Sequence, residues 1–298
     1  MLDKNKVIIG ISPIGWTNDD LPELGGHIPF EQCISEMSAA GFKACEIGNK
    51  FHKDPYELKN ALDKYGITAV NEWFPTYFTS RPYEESIELL YKQVEKMKIL
   101  GGKIIGASEQ GNSIQIKPLP VFGKDKPVFT EEQWETVCRG YNEMGKIARD
   151  NGLYFAVHHH MGTGIQTEEE IDRLMAMTDP DSVFLTFCIG HVACAGIDPE
   201  KLLKKHVKRV KHVHLKDVRA NVRKRAMESG MSFLEAVHEG IFTIPGDGSV
   251  QYKPLIKLLD ENGYEGCLMV EAEQDPGKAP PFEYALRARE FVRVNTGL

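Results

Sequence analysis

No apolar run in this 298-residue chain is long enough to span a bilayer, and Met1-Leu2-Asp3-Lys4-Asn5-Lys6 leads into the first strand without a signal-peptide core. The expectation is a cytoplasmic protein with no membrane partner. A basic excess is also missing. Lys and Arg number 36 against 43 Asp and Glu, a formal net charge of −7, and the basic residues are dispersed along the chain rather than striped. Nucleic acid needs a positive face, so it is excluded as an expected partner and a small-molecule substrate is favoured. The six cysteines, at 33, 45, 138, 188, 194 and 267, form no CxxC pair, which excludes a zinc knuckle and gives no disulfide framework. Neither GxGxxG nor GxxxxGK[ST] is present, so neither common nucleotide cradle is supported.

What the chain does have is a repeat of short apolar runs and helical stretches. Runs at 7–12, 44–48, 67–70, 103–107, 153–157, 183–187, 210–215 and 266–270 fit strands buried on both faces. Helical spacing occupies 29–40, 55–65, 83–100, 130–150, 167–177, 199–207 and 281–293. Thr130 with Gln133, and Thr167 with Glu170, are spaced as capping boxes. Eight strands alternating with helices predict an α/β fold, a (β/α)8 TIM barrel forming one domain over 1–298. Residues 111–127 carry neither period and read as a long loop of the kind that covers a site.

Chemistry-bearing residues gather where these strands end: His158-His159-His160, Phe187-Cys188-Ile189-Gly190-His191, His212-Val213-His214 with Asp217, and Glu271-Ala272-Glu273. Such groups are costly to bury unless paired or bound to a metal, and barrel enzymes keep their sites at the C-terminal strand ends, so one shared pocket is expected. Strand alternation makes His159 a structural residue and leaves Glu271 and Glu273 both open as ligands. Trp16 and Trp73 stand at strand ends, where they either pack the core or wall a ring-shaped substrate. The five cysteines other than Cys188 read as small buried hydrophobes.

The segments Gly10-Ile11-Ser12-Pro13-Ile14-Gly15-Trp16 with Asn18-Asp19-Asp20, His158 to Gly164, His212 to Asp217, Pro245-Gly246-Asp247-Gly248 and Val270 to Asp275 resemble the inosose dehydratases, members of the xylose-isomerase-like barrels. The resemblance covers essentially the whole chain. It implies loss of water from 2-keto-myo-inositol in inositol catabolism, with a divalent metal such as manganese or cobalt. The implied ligands are His158, His214, Glu271 and the residue at position 188; Glu46, Glu72, Glu273 or an imidazole would take the proton.

Position 188 departs from that pattern, which reads Asp-Thr-Gly-His where this chain has Cys188-Ile189-Gly190-His191. His52 stands where relatives usually carry proline, and Pro75 where they usually carry serine. A metal carboxylate turned into a thiol in an otherwise intact pocket reads as redesign. The sulfur would weaken manganese binding and tolerate zinc, and Ile189 would make the rim drier. Two readings follow, a possible homo-oligomer being compatible with both. In the first, Cys188 is the nucleophile of a cysteine-histidine ester hydrolase that needs no cofactor. His52 is then the leading base, with His158, His191 or His214 as alternatives, and the N–H groups of Ile189 and Gly190 hold the oxyanion. In the second, the chain is a dehydratase using manganese, cobalt or zinc. A catalytically dead sugar- or metal-binding barrel is a third class.

Overall fold

Strands short enough to be covered on both faces must be roofed by helices outside and filled inside, and a closed barrel does both. The computed structural model describes residues 2–298, and in it the eight expected strands close into one parallel barrel. In chain order the strands are β1 (Val7–Ile11), β2 (Ala44–Ile47), β3 (Thr68–Thr76), β4 (Ile104–Glu109), β5 (Tyr154–His158), β6 (Val183–Cys188), β7 (Val210–Leu215), β8 (Asp217–Val218), β9 (Phe242–Thr243) and β10 (Gly266–Val270). The barrel follows chain order from β1 to β7, then takes β10, which pairs back onto β1. The short β8 and β9 form a separate antiparallel ribbon above β7. The main core lies between strands and helices, around Phe42, Leu58, Tyr141, Phe155 and Phe187. A smaller cluster comprises Ala44, Val70, Cys267 and Met269. No helix among the described residues is long and apolar enough to cross a membrane.

The helices fall close to their expected places. Tyr83–Leu100 matches at both ends, and both capping boxes form, with Thr130 and Thr167 accepting from the N–H groups of Gln133 and Glu170. Three segments differ from expectation. β3 runs on through Asn71, Glu72, Trp73, Phe74 and Pro75 to Thr76. Its pairing to β2 ends at Glu72 and its pairing to β4 begins at Trp73, so Pro75 sits where β3 has only one neighbour and its missing N–H costs no ladder bond there. Between β7 and β10 the chain makes a long excursion through helices Ala220–Ser229, Phe233–His238 and Tyr252–Glu261, none of which was anticipated. Residues 111–127 are irregular, as expected, but they are pinned down. Ile114 N–H donates to Gly162 O at 2.9 Å, Val121 N–H to Met231 O at 3.0 Å, and Lys126 pairs with Glu170 at 2.5 Å.

Two irregularities aim side chains into the barrel mouth. The register shifts between Cys45 and Glu46 against β3, and between Leu185 and Thr186 against β7. Bulges turn side chains at such points, and both Glu46 and Thr186 line the cavity at the C-terminal end of the strands.

Candidate active site

A cavity of about 260 Å³ opens at that end, with Asp20, Glu46, Asn71, Trp73, Gln115, His158, His160, His214, Lys216, Glu271 and Glu273 among its walls. Strand register brings the expected clusters together. His158 lies opposite Thr186, and Cys188 lies opposite His214. One donor atom each of His158, Cys188 and His214 falls within 4.8 Å of the other two, so three of the four implied metal ligands converge. Glu271, the fourth, stands beside them: its Oε2 is 3.5 Å from His214 Nδ1 and 2.7 Å from Lys216 Nζ.

The electrostatics are set by burial and by three carboxylates. Both ring nitrogens of buried His158 lack a hydrogen-bond partner. Burial, reinforced by His214 and His160, holds its pKa well below the usual imidazole value, so the ring is neutral. His214 is the opposite case. Burial alone would lower its pKa, but Glu46, Cys188 and Glu271 outweigh that and raise it well above normal. Its Nε2 donates to Glu46 Oε1 at 3.0 Å, and the same oxygen accepts from His212 Nε2 at 3.0 Å and Asn71 Nδ2 at 2.7 Å. Burial penalises the Glu46 charge, yet His214 and His212 overcome the penalty and keep the carboxyl well below its ordinary value. Asn71 is fixed in turn by accepting from Gly106 N–H at 2.8 Å.

Lys216 is fully buried, with Nζ 2.6 Å from Glu273 Oε2 and 3.2 Å from His191 Nε2 as well as near Glu271. Burial opposes its charge, but the two carboxylates hold it protonated. Glu273 is pushed up by burial and by Glu271 against the pull of Lys216, to about 7. The Lys216 stem lies on Gly190, where a Cβ would come within 2.3 Å of Lys216 Cγ; that close approach requires the glycine.

Several expected roles change. His52 is exposed and its ring packs edge-on against Phe30 at 4.8 Å; it is not among the cavity-lining residues, so the loop carrying it does not fold inward to serve Cys188. Trp16 is a core residue, 1% exposed, with its indole N–H donating to Glu36 at 2.6 Å, whereas Trp73 is 40% exposed and does line the cavity, edge-on to His158 and His160. Ile189 opens the short helix Ile189–Cys194 and is buried in the main core, so it does not dry the rim, and Gly190 serves Lys216. Glu72 is held by Gln93 and Lys96 at 2.9 and 2.6 Å. His191 packs against His160 behind the cavity wall, ring centroids 3.8 Å apart and planes tilted by 48°, and Cys188 is likewise fully buried without lining it. His159 is structural as expected, its Nε2 accepting from the Cys188 N–H at 3.3 Å.

Lys216, Asn71 and the Gln115–Asp20 bond of 2.7 Å were not foreseen. The signal for Lys216 was available: alternation through His212, His214 and Lys216 places all three on one face. Asn71 and Gln115 left no comparable trace.

The whole arrangement defines a parallel barrel with a small polar cavity and potential metal ligands at its C-terminal mouth. The family of xylose isomerase-like TIM barrels matches residues 34–294. The chain belongs to that family and, within it, to the inosose dehydratases: it is 52% identical to the inosose dehydratase of Geobacillus thermodenitrificans and 49% identical to that of Clostridium tetani, over the full length of both chains in each case. Solved structures with the same fold include a probable 3-DHS dehydratase, AsbF, from Bacillus anthracis, with TM-score 0.73, 13% identity and 97% of this chain and 99% of that one covered. The IOLI protein with a bound zinc atom has TM-score 0.71, 16% identity and 97% of each chain covered. Among the two readings from sequence, the comparisons favour the dehydratase.

Proposed function

We propose that this chain removes water from 2-keto-myo-inositol, using a divalent metal held by His158 and His214 with Cys188 and Glu271 beside them. The observation that carries the metal is His158, a buried neutral imidazole with no partner at either nitrogen. Buried polar groups are otherwise hydrogen-bonded, and a ligand position is where such a ring would gain a bond. The His214 Nε2–Glu46 contact fits the same role, because with Nε2 donating to Glu46 it is Nδ1, 3.5 Å from Glu271 Oε2, that would bind a metal once its proton is displaced. Two nitrogens and a sulfur suit zinc or cobalt better than manganese. When bound, such a metal would polarise the ketone oxygen and stabilise the charge that develops as the α-proton leaves.

The chain's own residues supply the rest. Of the glutamates on the cavity wall, Glu46 holds three bonds on Oε1, Glu72 is tied to Gln93 and Lys96, and Glu271, against the effect of burial, is kept below its ordinary pKa by Lys216 and His214, whereas Glu273, pushed up to about 7, is the one poised to exchange a proton. Glu273 takes the proton α to the carbonyl and returns it to the departing β-hydroxide, which leaves as water. Lys216 holds Glu271 and Glu273 in place, Trp73 walls the ring, and Asp20 with Gln115 offers the hydroxyls polar partners on the loop side. A cytoplasmic protein acting on a small polyol, without nucleic-acid or membrane partners, is consistent with this reading. Ester hydrolysis by Cys188 is the second reading; its support is the Cys188–His214 contact, and it ranks lower because the thiol does not line the cavity.

The test is incubation of zinc-, cobalt- and manganese-loaded protein with 2-keto-myo-inositol, following the dehydrated product by mass spectrometry. Dehydration should appear, and Glu273→Gln should slow it by roughly 100-fold or more, the usual scale of general acid-base catalysis. No product with any metal would overturn the reading.

A further inference from the structure

The opposite end of the barrel holds a second cavity. Barrel interiors are normally packed through by layers of side chains, and the N-terminal end serves stability, so open space there needs an explanation. Here a cup of about 890 Å³ lies at the N-terminal strand ends. Its apolar walls are Ile8, Val70, Ile104, Cys267 and the ring of Tyr154, which is 40% exposed. Among the described residues six basic side chains line it, Lys4, Lys6, Lys43, Lys103, Lys211 and Arg289, against one acidic side chain, Glu265. In a chain with more acids than bases, that ratio runs against composition.

The placement is regular. Lys6, Lys43 and Lys103 each directly precede a strand, β1, β2 and β4, and Lys211 is the second residue of β7. The cations are not all used up. Lys6 pairs with Glu265, and Arg289 donates to backbone oxygens of Gly41 and Leu298. Lys211 sits over the Tyr154 and Phe184 rings at 4.8 and 5.4 Å. Lys4, Lys43 and Lys103 have no acidic partner among the described residues.

We propose that this cup binds a small amphiphilic anion, with a phosphate or carboxylate head among Lys4, Lys43 and Lys103 and an apolar body against Ile8, Val70, Cys267 and Tyr154. The head supplies the charge the lysines lack, and the body covers the exposed ring of Tyr154 and the partly exposed Ile8, over a floor of buried Val70 and Cys267. This site is independent of the metal and of the reaction at the other mouth.

The probes are hexyl phosphate, hexanoate, inorganic phosphate and hexanol, titrated calorimetrically into the full-length protein. Hexyl phosphate or hexanoate should bind, and the tighter of the two identifies the head group. Inorganic phosphate and hexanol, each carrying half of the recognition, should bind at least about tenfold more weakly. The double variant Lys43→Glu/Lys103→Glu, both positions being exposed and away from the catalytic mouth, should lose at least about tenfold in affinity while keeping the wild-type circular dichroism and melting temperature. Equal binding by inorganic phosphate, or undiminished binding by the folded double variant, would overturn the proposal, as would failure of both amphiphiles to bind.

Discussion

Glu46 acts on the candidate metal centre through one hydrogen bond. By accepting from His214 Nε2 it fixes the ring with Nδ1 as the nitrogen left for a metal, and partners of this kind commonly contribute about 10–100-fold to metal affinity. Glu46→Gln should therefore weaken zinc binding by about that factor, read by competition with a chromophoric chelator. Unchanged affinity would place the metal away from His214. In the proposed metal site, Cys188 is the ligand that would set selectivity. Dialysed against equal zinc and manganese, the chain should retain zinc, and Cys188→Asp with Ile189→Thr should move the preference toward manganese, because an oxygen ligand replaces a soft sulfur. Metal analysis reads this directly, without reference to turnover. The same substitution should also raise dehydration if position 188 is a ligand.

At the scale of elements, caps and ties hold the mouth together. Thr167 closes a capping box with Glu170, and Glu170 also accepts from Gln166 N–H and pairs with Lys126 of the irregular 111–127 segment. Thr167→Ala should cost about 1 kcal/mol in a denaturant titration. Glu170→Ala should in addition speed proteolytic cleavage within 111–127, since it releases one of that segment's anchors. Asp247 ties Thr243 of β9 and Arg219 to Arg287 of helix Pro281–Thr296. Partial burial pushes its pKa up, but the bonds from Thr243, Arg219 and Arg287 prevail and hold it below the ordinary value of 3.8. A carboxyl depressed in the fold stabilises above its unfolded pKa and loses that contribution as pH falls through the folded value. Asp247→Asn should thus destabilise at neutral pH by at most about 1 kcal/mol, given how much of the cluster faces water, and the gap should close in acid below 3.8.

For the molecule as a whole, a ligand that binds only the folded barrel stabilises it by mass action. Zinc at about 100 times its dissociation constant should add about 2.7 kcal/mol, seen as a rise of several degrees in melting temperature that a chelator reverses. His158→Ala should abolish the zinc-dependent rise, measured against that variant's own metal-free melting temperature, which the lost ring contacts to Trp73, His160 and His214 should lower. A full zinc-dependent rise in that variant would move the metal elsewhere.

Local periodicity determined much of this in advance. Apolar runs a few residues long, separated by helical spacing, specify strands covered on both faces, and eight of them leave a closed barrel as the natural packing. Alternation along β7 and one residue beyond its end likewise puts His212, His214 and Lys216 on one side. What periodicity cannot encode is the distance between side chains on different strands, which barrel closure and register set. That is why His52 could be expected near Cys188 and instead packs on Phe30, why Trp16 sinks into the core while Trp73 lines the cavity, and why Glu271 turns to Lys216, to which the sequence had assigned no role. The basic residues show the same division. They are dispersed along the chain, and only closure of the barrel carries Lys6, Lys43, Lys103 and Lys211 from separate strand beginnings to one rim, because parallel strands place all their N-terminal ends on the same side.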